Sequence, residues 1–404
     1  MKRKDKNGIL LRKGEYQLDN GRYQYKYTDC FGNRHSFNAE TLDELRDLER
    51  QAKREDEEGR SYAAGEITVI DLVKRYLKLK TKSRYNTQVC YKTISGIIER
   101  EPFGKRKIRD IKVSDAKLWF IDLQSRGFRY CTITNIRGVV KPAFDMAWEE
   151  EIIRRNPFMF KITDAIVNDT VPREALTEEE YNTWMSFIKN DKTYCKYYDE
   201  MVVLFWTGMR VSEFCGLTKN DLDFENRVIH VDHQLIRERL KGEHRYFVEK
   251  TKTESGKRYI PMIDAVYESL QNIIRNRKKP RIEHVIDGYT KFILIDKNMY
   301  PKVALHIEHE FKWARDKFDK LYPNNKLPHI TPHVARHTFA TRMAQNGMDV
   351  KALQYLMGHS DAGVTMNVYT HTDFEHAKKH MKKAAEELSK NWKDKNETND
   401  REII

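Results

Sequence analysis

Arg210 stands in the run Thr207-Gly208-Met209-Arg210-Val211-Ser212-Glu213, directly after an apolar stretch, Met201–Trp206. Gly208 suits the left-handed residue that closes a helix, so Arg210 is expected just past a tight turn, at the start of the next helix. Far downstream, Thr331-Pro332-His333-Val334-Ala335-Arg336-His337-Thr338 puts His333 and Arg336 on one helix face, with Phe339, Met343 and Ala344 to anchor that helix. Leu356-Met357-Gly358-His359-Ser360 follows, with Gly358 ending a helix and His359 just beyond it. Tyr369 comes next, within Met366-Asn367-Val368-Tyr369-Thr370-His371. Taken singly, these read as a surface arginine, structural histidines and a core tyrosine. Taken together, they are types that phosphate chemistry uses. A guanidinium offers paired donors that match phosphate geometry and keeps its charge. A phenol, with a free pKa of about 10, becomes a nucleophile once its proton is taken.

The chain has 404 residues and a net charge of +13, which makes a polyanion a candidate partner. The surplus is uneven. Residues 66–160 hold 20 Lys+Arg against 11 Asp+Glu, and residues 1–38 hold 9 against 4, whereas residues 39–58 reverse sign with 4 against 9. Phosphate would repel that acidic stretch, so it is expected to face away from a nucleic acid. No apolar run is long enough for a membrane span, and none follows the charged start Met1-Lys2-Arg3-Lys4-Asp5. Neither a transmembrane helix nor a secretory signal is expected, and the expected location is cytoplasmic. Cys30, Cys90, Cys131, Cys195 and Cys215 are scattered singly, off metal-ligand spacing. They predict reduced thiols, with no disulfide framework and no zinc site.

The elements that must position these groups read as a multidomain, mainly α chain. Arg22-Tyr23-Gln24-Tyr25-Lys26-Tyr27 alternates strictly, placing Tyr23, Tyr25 and Tyr27 on one strand face and Arg22, Gln24 and Lys26 on the other. Asn20-Gly21 predicts a type I′ hairpin, Phe31-Gly32-Asn33 a second turn, and Arg34-His35-Ser36-Phe37 another strand. The expectation for residues 1–62 is a three-stranded antiparallel β-sheet whose aromatic face is covered by a helix carrying Leu42, Leu45 and Leu48. Residues 66–160 read as an α-helical bundle. Its helices hold Val69, Leu72, Val73, Tyr76 and Leu77, then Val89, Ile94, Ile97 and Ile98. A third, capped by Ser114, holds Leu118, Trp119 and Leu123, and a fourth runs through Ile136–Ala147 with a kink at Pro142. Residues 161–174 read as a linker. Residues 175–390 read as a mixed, mostly helical domain opened by the capping box Thr177-Glu178-Glu179-Glu180, with strands near 228–231, 244–249 and 257–261. Residues 391–404 read as a polar tail. Pattern alone leaves open an ordinary solvated face for the sheet and an all-α interaction domain for the bundle.

The order Arg…His-x-x-Arg…Gly-His-Ser…Tyr resembles the tyrosine recombinase family, the phage-integrase type. The strings TGMRVSE, HVARHTFAT and LMGHSDAGVTMNVYTH carry the likeness, within spans 207–216 and 329–371. The N-terminal sheet and the ending HSDAGVTMNVYTH are most similar to integrases of conjugative transposons. The resemblance implies a site-specific DNA recombinase that integrates and excises a mobile element through a 3′-phosphotyrosine intermediate and a Holliday junction. It implies that Arg210 and Arg336 grip the non-bridging oxygens of the scissile phosphate, the role a metal ion plays in other phosphoryl-transfer enzymes, so neither cofactor nor metal is expected. Tyr369 would be the nucleophile, His333 would assist its proton transfer, and His359 would hydrogen-bond the phosphate. The family protonates the departing 5′-oxygen with a lysine on a β-hairpin. Lys252 matches that position, with a turn at Glu254-Ser255-Gly256 and with Lys250 and Lys257 as neighbouring alternatives. Glu213 would orient the site, or be a plain helix acid.

By the same resemblance, the bundle and the catalytic domain would clamp core DNA. The small sheet would read a distal arm sequence, with Arg22, Gln24, Lys26 and Arg34 facing a groove. The implied partners are double-stranded DNA at core and arm attachment sites, a Holliday junction and a homotetramer of this chain. An excisionase and a host DNA-bending protein are further candidates, and no membrane is involved. Two rivals remain: a type IB topoisomerase, which shares the chemistry but relaxes supercoils alone, and a DNA-binding regulator with a silent site.

Overall fold

The structure is a computed structural model that describes residues 3–28, 34–57, 67–171, 174–240, 243–251 and 256–361, with 363, 365, 366 and 381 besides. The chain forms two compact units, Met1–Val171 and Pro172–Ile404.

In the first unit, β1 (Glu15–Gln17), β2 (Tyr23–Thr28) and β3 (Arg34–Ala39) form an antiparallel sheet in the order β1-β2-β3. The strict alternation of β2 buries Tyr23 and Tyr25, which pack with Leu42 and Leu45 of α1 (Leu42–Glu57). The expected type I′ turn is not what forms. Type I′ needs positive φ at both central residues. Here Gly21 alone has it (φ 87°), and Gly21 N donates to Leu18 O while Leu18 N donates to Arg22 O. The connection is therefore one residue longer, with the left-handed conformation confined to the glycine. The turn expected at Phe31-Gly32-Asn33 lies outside the described residues.

The bundle consists of α2 (Val69–Lys78), α3 (Tyr85–Arg100), α4 (Val113–Ser125) and α5 (Tyr130–Glu149), with Pro142 inside α5. Phe103 stacks on Trp119 at 4.2 Å, and Phe158 closes the core against Phe120 and Phe144. Ser114 does not cap α4. Asp115 does, accepting from Lys112 N at 2.8 Å, because the helix starts two residues earlier than the serine needs. Val89 and Leu118, counted on the buried stripes, are exposed. The stretch read as a linker is packed onto the bundle for much of its length. Ile166 is buried, and the Gln124 side chain makes two hydrogen bonds to the Val167 backbone (2.7 and 3.0 Å).

In the second unit, α6 (Glu178–Asn190) starts at the predicted box: Thr177 Oγ1 accepts from Glu180 N and Glu180 Oε2 accepts from Thr177 N. The following α7 (Tyr198–Thr207) is buried along most of its length, as its apolar run requires. Then come α8 (Val211–Gly216), β4 (Leu222–Asp223), β5 (Val228–Val231), β6 (His233–Leu240), β7 (Glu243–Lys250) and β8 (Arg258–Pro261). Next are α9 (Asp264–Arg275), α10 (Ala304–Leu321), α11 (Pro332–Gln345) and α12 (Val350–Met357). Strand pairing corrects the sequence reading. Residues 251–258 do not join a hairpin's two strands. β7 pairs with β6 and β8 pairs with β5, so the stretch 228–240 is lined first by β8 and then by β7. Where β7 ends, Thr251 N donates to the Asp232 carbonyl at 3.0 Å. His233 pins the junction, with Nδ1 2.5 Å from Asp232 Oδ1 and Nε2 2.8 Å from Gly216 O. Asp221 completes an acidic grouping around that imidazole, but both ring nitrogens are already engaged there.

Candidate active site

Two left-handed glycines end the helices that bracket the site: Gly208 after α7 (φ 62°) and Gly358 after α12 (φ 61°). Each turn leaves backbone carbonyls pointing inward, and two arginines collect them. Arg336, on the buried face of α11 and only 5% exposed, donates to Gly208 O (2.6 Å) and Met357 O (2.5 Å). Arg210, at the N-cap of α8, donates from Nη2 to Gly358 O (3.2 Å) and from Nη1 to Glu213 Oε1 (2.7 Å). A guanidinium has five donors, so these bonds fix both groups and leave hydrogens for a ligand. Arg210, His333 and Arg336 line one cleft of about 730 Å³, with His333 exposed at its edge on the first turn of α11.

His359 follows Gly358. Its Nδ1 lies 2.9 Å from Thr365 Oγ1, and its carbonyl accepts from Gln354 Nε2 at 3.1 Å. Burial, then the Arg336 and Arg210 charges, push the imidazole down to about 4. It is therefore neutral at physiological pH and can donate one hydrogen bond without adding charge. Burial and Arg210 push the Arg336 guanidinium down to about 9, so it stays cationic at neutral pH but gains from any anion placed beside it.

Glu213 is the carboxylate that holds the cluster. It is 2% exposed and accepts from Arg210 N (2.9 Å), Arg210 Nη1 and Arg258 Nη2 (2.7 Å). Burial alone would raise its pKa; Arg258 and then Arg210 outweigh that and hold it below the usual carboxylate range. Sequence reasoning missed Arg258. The signal was there: in β8, Arg258 alternates onto the same side as Ile260, and both are buried while Tyr259 and Pro261 are exposed. Three guanidiniums thus face one carboxylate, which makes an anion site.

Lys252 and Tyr369 lie outside the described residues. Of the expected DNA-reading residues, Gln24 and Lys26 face away from the buried tyrosines of β2, and Arg34 pairs with Thr28 on that side. Arg22 precedes the strand and is paired instead with Glu40 at 3.1 Å. Tyr16, opposite Gln24 in β1, was not foreseen; Arg3 and Lys26 lie over its ring at 4.5 and 5.4 Å.

Two outcomes follow from this geometry. Gly208→Ala will destabilise the chain by about 2–4 kcal/mol in denaturant unfolding, because a left-handed alanine is strained and overpacks. Its Cβ would meet Phe339 Cδ1 at 2.4 Å and Met357 Sδ at 2.9 Å. The second concerns pH. The folded pKa of His359, about 4, lies below the unfolded value near 6.5, so the unfolded state binds the proton more readily. Its contribution is full above pH ~6.5 and is lost as pH falls toward about 4. Ring NMR should show neutral His359 at pH 6, and His359→Gln should flatten the fall in thermal stability across that window.

Residues 174–376 match the phage integrase family, and residues 1–62 match the DNA-binding domain of Tn916 integrase. The chain is 39% identical over 400 residues to the transposase from transposon Tn916 of Enterococcus faecalis, covering 96% of this chain and 97% of that protein. It is 23% identical over 310 residues to tyrosine recombinase XerC of Bacillus subtilis, covering 76% and 92%. Among solved structures, a Tn1549 integrase in complex with transposon right end DNA superimposes with a TM-score of 0.73 at 41% identity, over 79% of this chain and 100% of that one. A lambda integrase tetramer bound to a Holliday junction shares the fold, with a TM-score of 0.55 at 20% identity, over 90% and 98%.

Proposed function

The chain belongs to the phage integrase family of tyrosine recombinases, and from that premise we propose how its residues carry out strand exchange. It is a site-specific DNA recombinase of the conjugative-transposon type, which integrates and excises a mobile element. The observation that carries the residue assignment is the cleft in which Arg210 and Arg336, both tied to helix-end carbonyls, face His333.

In this reading the scissile phosphate sits between the two guanidiniums, which neutralise charge as it builds on the non-bridging oxygens. The Tyr369 phenol loses its proton with help from His333 and attacks phosphorus. The new P–O bond forms as the P–O5′ bond breaks, and the 5′-oxygen takes a proton from Lys252. His359, neutral, donates a hydrogen bond to the phosphate. The 3′-phosphotyrosine keeps the ester energy, so a 5′-hydroxyl from another strand reverses the same step and reseals DNA without a nucleotide cofactor.

Residues 1–62 bind a distal arm sequence through the face of Gln24, Lys26 and Arg34, and the bundle with the catalytic domain holds the core site. The working assembly is a tetramer of this chain on two sites, passing through a Holliday junction, with an excisionase and a host DNA-bending protein directing excision. A circular intermediate, the kind of DNA bound by the related Tn1549 integrase, is the substrate for integration. No helix among the described residues is long and apolar enough to cross a membrane.

A strand-transfer assay on duplexes carrying the joined and separate element ends tests the reading. Recombinant strands support it. Supercoil relaxation without strand transfer points to a topoisomerase, and binding without cleavage to a silent regulator. Removing residues 1–62 should abolish binding to arm duplexes and leave core binding within about threefold; equal arm binding would refute the arm assignment.

A further inference from the structure

Arg258 is the largest side chain after Trp184 among those fully buried in the described residues, and its three bonds tie together three separate parts of the unit. Its Nε donates to Leu356 O (2.7 Å) in α12, just before Gly358 and His359. Its Nη1 donates to Gly256 O (3.1 Å), two residues before it in the chain. Its Nη2 donates to Glu213 Oε2 (2.7 Å), whose other oxygen holds the Arg210 guanidinium. A lysine has one compact ammonium and cannot reproduce three fixed directions, whereas the planar fork can.

We infer that Arg258 is a positioning residue for strand cleavage: through Glu213 it sets the guanidinium of Arg210, and through the Leu356 carbonyl it fixes the backbone that carries His359. It rests on the reading of Arg210 and His359 as phosphate ligands. Arg258 itself is buried and touches no DNA. Glu213 is held by Arg210 from its own turn and Arg258 from β8, with Arg336 of α11 and His359 beyond α12 also acting on it. Without Arg258 the carboxylate keeps only Arg210 as a direct partner. It then draws that guanidinium toward itself and takes up a proton more readily. Cleavage should therefore become sensitive to acid at a higher pH.

The test uses the full chain and nicked duplexes that trap the covalent adduct. Rates of adduct formation are measured from pH 5 to 8 for the wild type, Arg258→Lys and Arg258→Gln, with DNA affinity and thermal unfolding measured alongside. Expected are rates at pH 7 about tenfold lower for Arg258→Lys and about a hundredfold lower for Arg258→Gln, with duplex affinity within about twofold of wild type. The acid limb should move to higher pH in Arg258→Gln and stay near the wild-type position in Arg258→Lys, which keeps a cation beside Glu213. Adding Arg258→Gln to Glu213→Gln should slow cleavage by less than Arg258→Gln slows the wild type, the remaining loss being that of the Leu356 tie. If Arg258→Gln does not fold, the folded Arg258→Lys decides by its rate. Folded variants with wild-type rates, or an acid limb that does not move in Arg258→Gln, would overturn the inference. A wild-type protein that forms no adduct would instead overturn the functional reading on which it rests.

Discussion

Tyr369→Phe will bind attachment-site DNA as the wild type does and will form no covalent adduct, a loss on the order of 10⁴-fold or more in cleavage. The change removes one oxygen, the atom proposed to bond phosphorus, and keeps the ring. Tyr369 itself is outside the described residues, so its role as nucleophile rests on the order of the motif. Thr365 is fully buried with its hydroxyl 2.9 Å from His359 Nδ1. Gel-resolved adduct on nicked duplexes, with filter binding alongside, separates chemistry from affinity.

Arg336→Ala will lower cleavage by about 10³–10⁴-fold, and Arg336→Lys by about 10²-fold. Arg336 is the more deeply buried of the two cleft arginines; it lines the cleft and donates to the carbonyls of Gly208 and Met357. Lysine keeps the charge and loses the fork. The alanine variant also strands two buried carbonyls, at about 1–3 kcal/mol each, so its thermal unfolding must be measured with its rate. A rate loss that persists at temperatures where the variant is fully folded belongs to the chemistry. A loss that vanishes there would reduce Arg336 to a structural tie.

Helix ends were the most legible part of this sequence. Gly208 and Gly358 announced left-handed stops, and Thr177 with Glu180 announced a start, because each depends on local sterics or on partners three residues away. The aromatic alternation of β2 was legible for the same reason. What could not be read depended on distant partners. Residues 251–258 look like a hairpin turn locally, but β7 and β8 each find a different partner along 228–240. Arg258 reads as one more basic residue beside Lys257 until Glu213, 45 positions earlier, is seen to accept from it. Arg22 fits the alternation of its strand, yet Glu40 draws it aside. Residues 161–174 read as a linker because their mixed polarity shows no helical or strand period, so the packing of Ile162, Ala165 and Ile166 on the bundle is visible only in the fold. The motif thus named the cluster, while the bonds that orient it came from tertiary structure.

The most direct test of the central claim is to locate the covalent bond. Wild-type protein is reacted with nicked duplexes of its element ends, the adduct is digested with nuclease and protease, and the modified peptide is sequenced by mass spectrometry. The account predicts a nucleotide joined through its 3′-phosphate to Tyr369. A nucleotide on any other residue, or tight DNA binding with no adduct on a verified element end, would contradict it.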